Sequence, residues 1–181
     1  MRLKTLAIAL AFAAPLSAQT SGPNAVPAPA PRTNSPIYSP LYGGTAGITM
    51  PLGNLADDHA AGYELGGLIE YAVAGQPYSL RGEALFQRFP LKSGHLGDDA
   101  NVISLGSTIV YRLQKTSTQS YVAGGIAIYN ATRQGTRPGF NAGGGVEIPL
   151  TGFTAIAEAR LHVMLADTRQ VMLPLTVGVR F

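Results

Sequence analysis

The feature that most constrains this sequence is an alternation of apolar and polar residues that recurs along most of its length. In the C-terminal run 171–181, every odd-numbered residue is apolar, while the even-numbered residues are Met, Pro, Thr, Gly and Arg. Segments 140–150 and 152–165 alternate in the same way. An α-helix, with its period of 3.6 residues, cannot keep two such faces apart, whereas a β-strand does so automatically. The alternation therefore predicts an all-β fold.

Five more segments with strand character precede these three, at about 41–50, 62–74, 78–90, 101–113 and 119–130. In 119–130 the phase is ambiguous, because the tyrosines and the aliphatic residues claim opposite faces. Each strand has about 10 to 13 residues, which suits a tilted strand that crosses a bilayer, whereas strands of soluble proteins are usually about five or six residues long. We therefore predict an eight-stranded antiparallel up-and-down transmembrane β-barrel. Pro174 cannot donate to a ladder, so we expect a local bulge or kink there.

The connections between these strands alternate in length. Those after strands 2, 4 and 6 are compact and lie at 75–77, 115–118 and 151–152. Those after strands 1, 3, 5 and 7 are mostly longer and more polar, and include 57–59, 94–99, 133–138 and 167–169. Outer-membrane barrels have short periplasmic turns and longer outer loops, so both chain ends are expected on the periplasmic side.

The acidic residues divide by type: every glutamate falls inside a predicted strand, and every aspartate falls in a predicted outer loop. The glutamates share the polar face with four arginines and a histidine. In a membrane barrel this face lines the lumen, and an eight-stranded lumen is narrow enough for side chains to fill. We predict a lumen charge network of paired side chains, consisting of Glu64, Glu70, Arg81, Glu83, Arg112, Glu147, Glu158, Arg160, His162 and Arg180.

Aromatic residues cluster near the predicted strand ends, where interfacial girdles of membrane barrels lie. The residues assigned to these girdles are Tyr42, Tyr63, Tyr71, Tyr78, Phe86, Tyr111, Tyr121, Tyr129, Phe140, Phe153 and Phe181. Good strand propensity of tyrosine explains part of the same pattern.

The N-terminal 40 residues are predicted to consist of an export signal followed by a spacer. Arg2 and Lys4 precede the apolar run 6–14, and small residues follow, so residues 1–18 are predicted to be a cleaved signal peptide. Residues 19–40 are rich in Pro and Ala and predict a disordered, extended tail, which leaves 41–181 for the barrel. Without Arg2 and Lys4, the 13 basic residues become 11 against 10 acidic ones, so nothing predicts nucleic-acid binding.

Three features together resemble the small outer-membrane barrels of the opacity-protein and OmpA/OmpX type. They are the chain end LTVGVRF (175–181), the segment MPLGNLA (50–56) followed by GYELG (62–66), and the eight predicted strands over 41–181. The resemblance implies that Phe181 is the terminal aromatic signal read by the barrel assembly machinery. It also implies residence in the bacterial outer membrane, among lipid and lipopolysaccharide, and we expect a monomer.

Candidate chemistry is sparse, and we predict no catalytic, cofactor-binding or metal site. His162 alternates with Glu158 and Arg160 on one strand face, but no spacing links it to a Ser or Thr nucleophile, so we interpret it as a hydrogen-bonded lumen histidine. The loop groups 57–59 and 95–99 contain Asp and His, which suit divalent cations, yet charged loop tips are usually only solvated. The sequence favours a structural or interaction barrel that is not an enzyme. A narrow channel for small solutes or hydrophobic molecules and a lipid-modifying enzyme are the alternatives.

Overall fold

The computed structural model describes residues 40–113, 118–132, 134–166 and 169–181. Within them the chain forms a closed barrel of eight strands, and each strand pairs antiparallel with its sequence neighbours. The strands are β1 (Leu41–Leu52), β2 (Gly62–Ala72), β3 (Tyr78–Phe89), β4 (Ala100–Arg112), β5 (Gln119–Ala131), β6 (Gly135–Leu150), β7 (Phe153–Met164) and β8 (Gln170–Arg180). Pairing between β1 and β8 closes the ring. The predicted up-and-down barrel is therefore confirmed. The predicted signal peptide (1–18) and nearly all of the predicted tail (19–40) lie outside the described residues.

Strand alternation produces a barrel that is apolar outside and polar inside. Outward-facing Leu105, Ile126 and Val177 are each more than 60% exposed, whereas inward-facing Glu70 and Arg81 are almost fully buried. The described residues contain no helix that is long and apolar enough to cross a membrane.

One end of the barrel carries the short connections. The first residues of β1 and the last residues of β8 also lie at this end. Gly75 and Gly152 adopt positive φ angles in the β2–β3 and β6–β7 turns, a conformation that glycine reaches without steric cost. The β4–β5 connection includes 114–117, which lie outside the described residues. We call this the turn end.

The opposite end carries four connections, named here L1 (53–61), L2 (90–99), L3 (132–134) and L4 (165–169). L1 contains a five-residue helix, α1 (Asn54–Asp58), which the alternation pattern does not predict. L3 is much shorter than expected, because β6 begins at Gly135 rather than at Phe140. Positive φ at Gly135 allows a tight turn there, so β5 and β6 stay paired from Ala131 and Gly135 onward. Arg133, Asp167 and Thr168 of these loops lie outside the described residues.

Pro174 causes no bulge, contrary to expectation. The register of β8 against β1 runs without a shift through the pair Thr49–Pro174. Against β7, the recorded pairs are interrupted between Ala159–Leu175 and His162–Met172, and the register is the same on both sides of the gap. The proline therefore weakens one ladder locally without moving the residues beyond it, since only its missing N–H is lost.

Candidate functional site

The half of the barrel interior near the turn end is centred on Glu70, which is completely buried. Its carboxylate accepts hydrogen bonds from Arg81 Nε at 3.0 Å, Arg112 Nη2 at 2.5 Å and Arg180 Nη1 at 2.7 Å. Ser79 Oγ donates a fourth at 2.6 Å. One acid from β2 thus joins arginines of β3, β4 and β8, which compensates the cost of burying each charge.

Glu147 on β6 is the second acid of this cluster. Arg112 approaches it in a fork, with Nε and Nη2 each 2.9 Å from a carboxylate oxygen. Arg180 Nη1 and Nη2 donate to the same carboxylate at 2.9 and 3.1 Å. Two guanidinium groups therefore hold one carboxylate in the bidentate geometry that is strongest for this pair.

A second group of ion pairs occupies the middle of the barrel. Arg160 Nη1 and Nη2 donate to the two oxygens of Glu83 at 2.5 and 2.8 Å. Glu158 accepts hydrogen bonds from Arg81 Nη1 at 3.0 Å and from Tyr121 Oη at 2.7 Å. Arg81 therefore contacts acids of both groups, and the charges form one continuous network across the lumen.

Toward the loop end the interior changes character. Glu64 makes no ion pair with any described residue and accepts a hydrogen bond from Gln87 Nε2. His162 Nδ1 lies 3.0 Å from Tyr129 Oη, while its Nε2 is buried without a hydrogen-bond partner in the described chain. Above them, Leu55 of α1 packs in one apolar cluster with Phe89, Met164 and Met172. The interior therefore ends in an apolar cap beneath L1.

The structure places all ten residues of the predicted charge network inside the barrel. Arg112 is the most exposed of them, and its side chain is only 17% exposed. Eight of the ten form the connected ion pairs, whereas Glu64 and His162 stand apart from them. His162, which we interpret as a hydrogen-bonded lumen histidine, has Nδ1 within hydrogen-bond distance of Tyr129 Oη, while Nε2 has no partner in the described chain.

The structure resolves the phase of β5, which the sequence leaves ambiguous, and removes two of its residues from the expected girdles. Tyr121 and Tyr129 were expected in an interfacial girdle, but they are 2% and 0% exposed and project into the lumen. Their hydroxyls bond Glu158 and His162, so each ring carries a polar group to a buried partner. On the same strand, Val122, Ile126 and Ile128 face outward. An apolar outer face at these even-numbered positions would have predicted that the two tyrosines face the lumen.

At the loop end, side chains join L1 to L2. Lys92 Nζ donates to the carbonyl oxygen of Ala56 at 2.5 Å, and His95 Nδ1 lies 3.2 Å from Asp58 Oδ1. Asp99 accepts hydrogen bonds from Leu91 N–H at 2.9 Å and Arg88 Nη2 at 2.7 Å. These two bonds hold the pKa of Asp99 below its usual range. The described residues contain no group of three or more His, Asp or Glu side chains arranged to hold a metal ion.

Solved structures with the same fold include three informative neighbours. Neisserial surface protein A has a TM-score of 0.63 at 16% identity, over 80% of this chain and 97% of that one. The N-terminal β-barrel domain of Pseudomonas aeruginosa OprF has a TM-score of 0.50 at 20% identity, over 78% and 97%. The outer membrane enzyme PagL has a TM-score of 0.53 at 10% identity, over 79% and 99%.

These likenesses establish the fold of small eight-stranded outer-membrane barrels. No protein-family model and no curated protein matches the chain in sequence. Since the neighbours include both an enzyme and a surface protein, the fold alone does not distinguish these roles.

Proposed function

We propose that this chain is an outer-membrane β-barrel with a structural or interaction role, whose lumen is a filled plug and whose loops are presented at the cell surface. The observation that carries the proposal is the ion-pair network in the interior. Four arginines, each mostly or fully buried, are bonded to buried glutamates in the described lumen. Side chains held by several charge-assisted bonds form a rigid filling rather than the lining of a pore.

Residence in a membrane is supported by the reversed distribution of polarity. Leucine, isoleucine and valine cover the outside, while carboxylates and guanidinium groups fill the inside. A strand of 12 residues extends for about 40 Å, which at a tilt near 40° spans about 30 Å, the thickness of a bilayer core. The outer membrane is the proposed location because this fold is shared with outer-membrane barrels, and the prediction that residues 1–18 are a signal peptide is consistent with export.

The proposed orientation places the turn end and both ends of the barrel segment in the periplasm. L1 to L4 then face outward, among lipopolysaccharide and other surface molecules. Phe181 is the proposed contact for the barrel assembly machinery during insertion, and the inserted protein is proposed to be a monomer that requires no cofactor.

A narrow channel is the first competing function, and single-channel recording in planar bilayers tests it. We expect no steady current from the native chain. The double variant Glu70→Ala/Arg81→Ala, which removes a pair from the lumen, should introduce a leak. The matched variant Arg88→Ala/Asp99→Ala removes a pair whose side chains are 49% and 32% exposed at the rim and should stay silent. A stable unit conductance from the native chain would disprove the plugged lumen.

Catalysis on lipid is the second competing function, and we infer that it is absent. His162 is 2% exposed and projects into the lumen, with Nδ1 against Tyr129, so it faces away from the lipid. We therefore expect identical lipid A mass spectra from cells that express the native chain, His162→Ala or neither. A mass change that depends on His162 would overturn this inference.

A further inference from the structure

Arg88 is the only charged side chain on the outer face of the strands that the structure describes. The other charged residues of these strands belong to the lumen network, apart from Arg137, which lies opposite the buried Tyr129 and shares its inward face. Arg88 lies one residue before the end of β3 at the loop end, opposite Tyr63 of β2, and its side chain is 49% exposed. A charge on the lipid face is tolerated near the headgroups and costs more toward the middle of the bilayer. This position therefore places Arg88 at the depth of the lipid headgroups.

A groove begins in the outer face next to Arg88 and runs toward the middle of the barrel. Its volume is about 370 Å³. The outward-facing residues that line it are all apolar and are Leu65, Gly67, Ala84, Phe86 and Ile103. Phe86 and Ala84 lie two and four residues from Arg88 on the same face of β3, at about 7 and 13 Å along the strand. Gly67 and Ala84 form the floor, and a Cβ added to Gly67 would meet no atom within 4 Å. A cationic group therefore lies at the outer end of an open apolar groove.

Apolar lining by itself does not select an occupant on this face. Lipid tails are as apolar as leucine, so hydrocarbon covers any such groove without a preference for one lipid. A larger groove of about 540 Å³ lies on the outer face of β4, β5 and β6, where Ile126, Pro138 and Phe140 line it. The described residues of those three strands carry no outward charge. The feature that distinguishes the groove at Arg88 is therefore its guanidinium group, which favours an anionic headgroup.

Asp99 already holds part of the Arg88 guanidinium group. Nε and Nη2 of Arg88 donate to Asp99 Oδ2 at 3.1 and 2.7 Å, and Asp99 Oδ1 accepts from the Leu91 amide. Two of the five N–H donors of the arginine are used in this way, and its orientation is fixed, while about half of the side chain remains exposed. Phosphate oxygens suit the exposed edge of the group, because a planar guanidinium presents its donors in a fixed geometry. Arg88 is therefore a preoriented donor for a second anion.

We propose that Arg88 and this groove together bind one molecule of lipopolysaccharide, with a phosphate of its lipid A at the guanidinium group and one acyl chain in the groove. The inference deepens the proposed function and rests on its orientation, in which Arg88 lies in the outer leaflet. Lipopolysaccharide of that leaflet carries phosphate, whose charge is opposite to that of Arg88, on a headgroup joined to acyl chains that match the groove. The ring of Tyr63, 6.1 Å from that of Phe86, lies at the same boundary, where amphipathic rings are typical.

The test uses the folded full-length chain in detergent and native mass spectrometry, which counts the lipid molecules that each barrel retains. The chain is titrated with lipid A, with dephosphorylated lipid A and with phosphatidylglycerol. We expect lipid A to bind about tenfold more tightly than its dephosphorylated form, as loss of a charge-assisted hydrogen bond predicts. Equal retention of the two forms, or stronger retention of phosphatidylglycerol, would overturn the proposal.

Variants at the ion pair separate a lipid site from a purely structural role. Arg88→Gln should weaken lipid A binding about tenfold, whereas Arg169→Gln, which removes another exposed cation at the loop end, should not. Asp99→Asn should strengthen lipid A binding, because it removes a carboxylate that repels phosphate. Equal weakening by Arg88→Gln and Asp99→Asn would show that Arg88 serves only its ion pair, which contradicts the proposal.

Gly67→Leu tests the groove, because it fills the floor and leaves the outer face apolar. We expect it to reduce lipid A retention, whereas Ala142→Leu, which adds bulk to the exposed outer face of β6, should not. Unchanged retention by Gly67→Leu, or a dimer of the native chain that this variant abolishes, would refute the proposal. A heat-dependent shift on unboiled gels reports the barrel separately. A native chain that shows the shift without a preference for lipid A refutes this inference alone, and a chain without the shift refutes the proposed membrane barrel.

Discussion

The interior network predicts very different costs for one substitution at two buried glutamates. Glu70→Gln removes a charge that bonds three arginines, whereas Glu64→Gln removes one that makes no ion pair with any described residue. Removal of one partner from a buried ion pair typically costs about 3–5 kcal/mol, and we expect a value in this range for Glu70→Gln. Glu64→Gln should change the free energy of unfolding by less than about 1 kcal/mol, because the amide oxygen can still accept from Gln87 Nε2 and no ion pair with a described residue is lost.

The assay is urea unfolding of the chain in lipid vesicles, followed by far-ultraviolet circular dichroism and by gel mobility. With a urea dependence of about 1–3 kcal/mol per molar, Glu70→Gln should lower the midpoint by at least about 1 M, while Glu64→Gln should leave it nearly unchanged. The two residues, Glu70 and Glu64, are 0% and 2% exposed, so burial is matched and the three arginine partners of Glu70 are the main difference between them. Equal shifts for the two variants would refute the reasoning.

Three further predictions concern the lipid face, the strand contacts and the loops. Leu105→Arg, near the middle of β4 and 68% exposed, should cost about 2–4 kcal/mol in lipid vesicles, whereas Leu96→Arg in L2 should cost almost nothing; equal costs in urea titrations would contradict a lipid-facing β4. Gly125→Ala should destabilise the barrel by about 1–3 kcal/mol, because its Cβ would meet the Ser107 carbonyl at 2.1 Å, while Gly67→Ala has open space and should be tolerated in the same titration. Since the pKa of Asp99 is depressed in the fold, its stabilising contribution is present above the ordinary carboxyl range and is lost as the pH falls through the lowered pKa. Protection of the Leu91 amide from hydrogen exchange, measured against its intrinsic rate at each pH, should fall over that range, and Asp99→Ala should lack this protection at every pH.

Strand positions and faces were accessible from the sequence because both depend on local alternation. Most predicted strand bounds lie within two residues of those observed, and the side chains from Glu64 to Arg180 that were assigned to the lumen project into it. The predictions failed where a local rule competed with a contact distant in sequence. Tyr121 was placed at an interface because tyrosine is common there, but its partner, Glu158, lies two strands away.

The pairing inside the lumen was not accessible in this way. Glu70 and Arg112 are 42 residues apart, and their contact depends on the registers of β2–β3 and β3–β4 together with the width of the closed ring. The sequence shows which types of side chain face the lumen. Which of them pair with one another depends on how the closed ring brings distant strands together.

The distribution of the ion pairs around the ring has a consequence for how the barrel reaches the membrane. The bonded side chains of the described network come from β2 to β8, and Arg180, in the last strand, binds acids on both β2 and β6. Some of these pairs can form while the seam is open, because Arg81 and Glu70 lie on adjacent strands and Arg160 and Glu158 on the same strand. The bond from Arg180 to Glu70 crosses the seam where β8 pairs with β1, so it forms only when the last strand meets the first. Closure of the ring therefore adds a buried ion pair as well as a backbone ladder, which disfavours forms of the barrel whose seam is open.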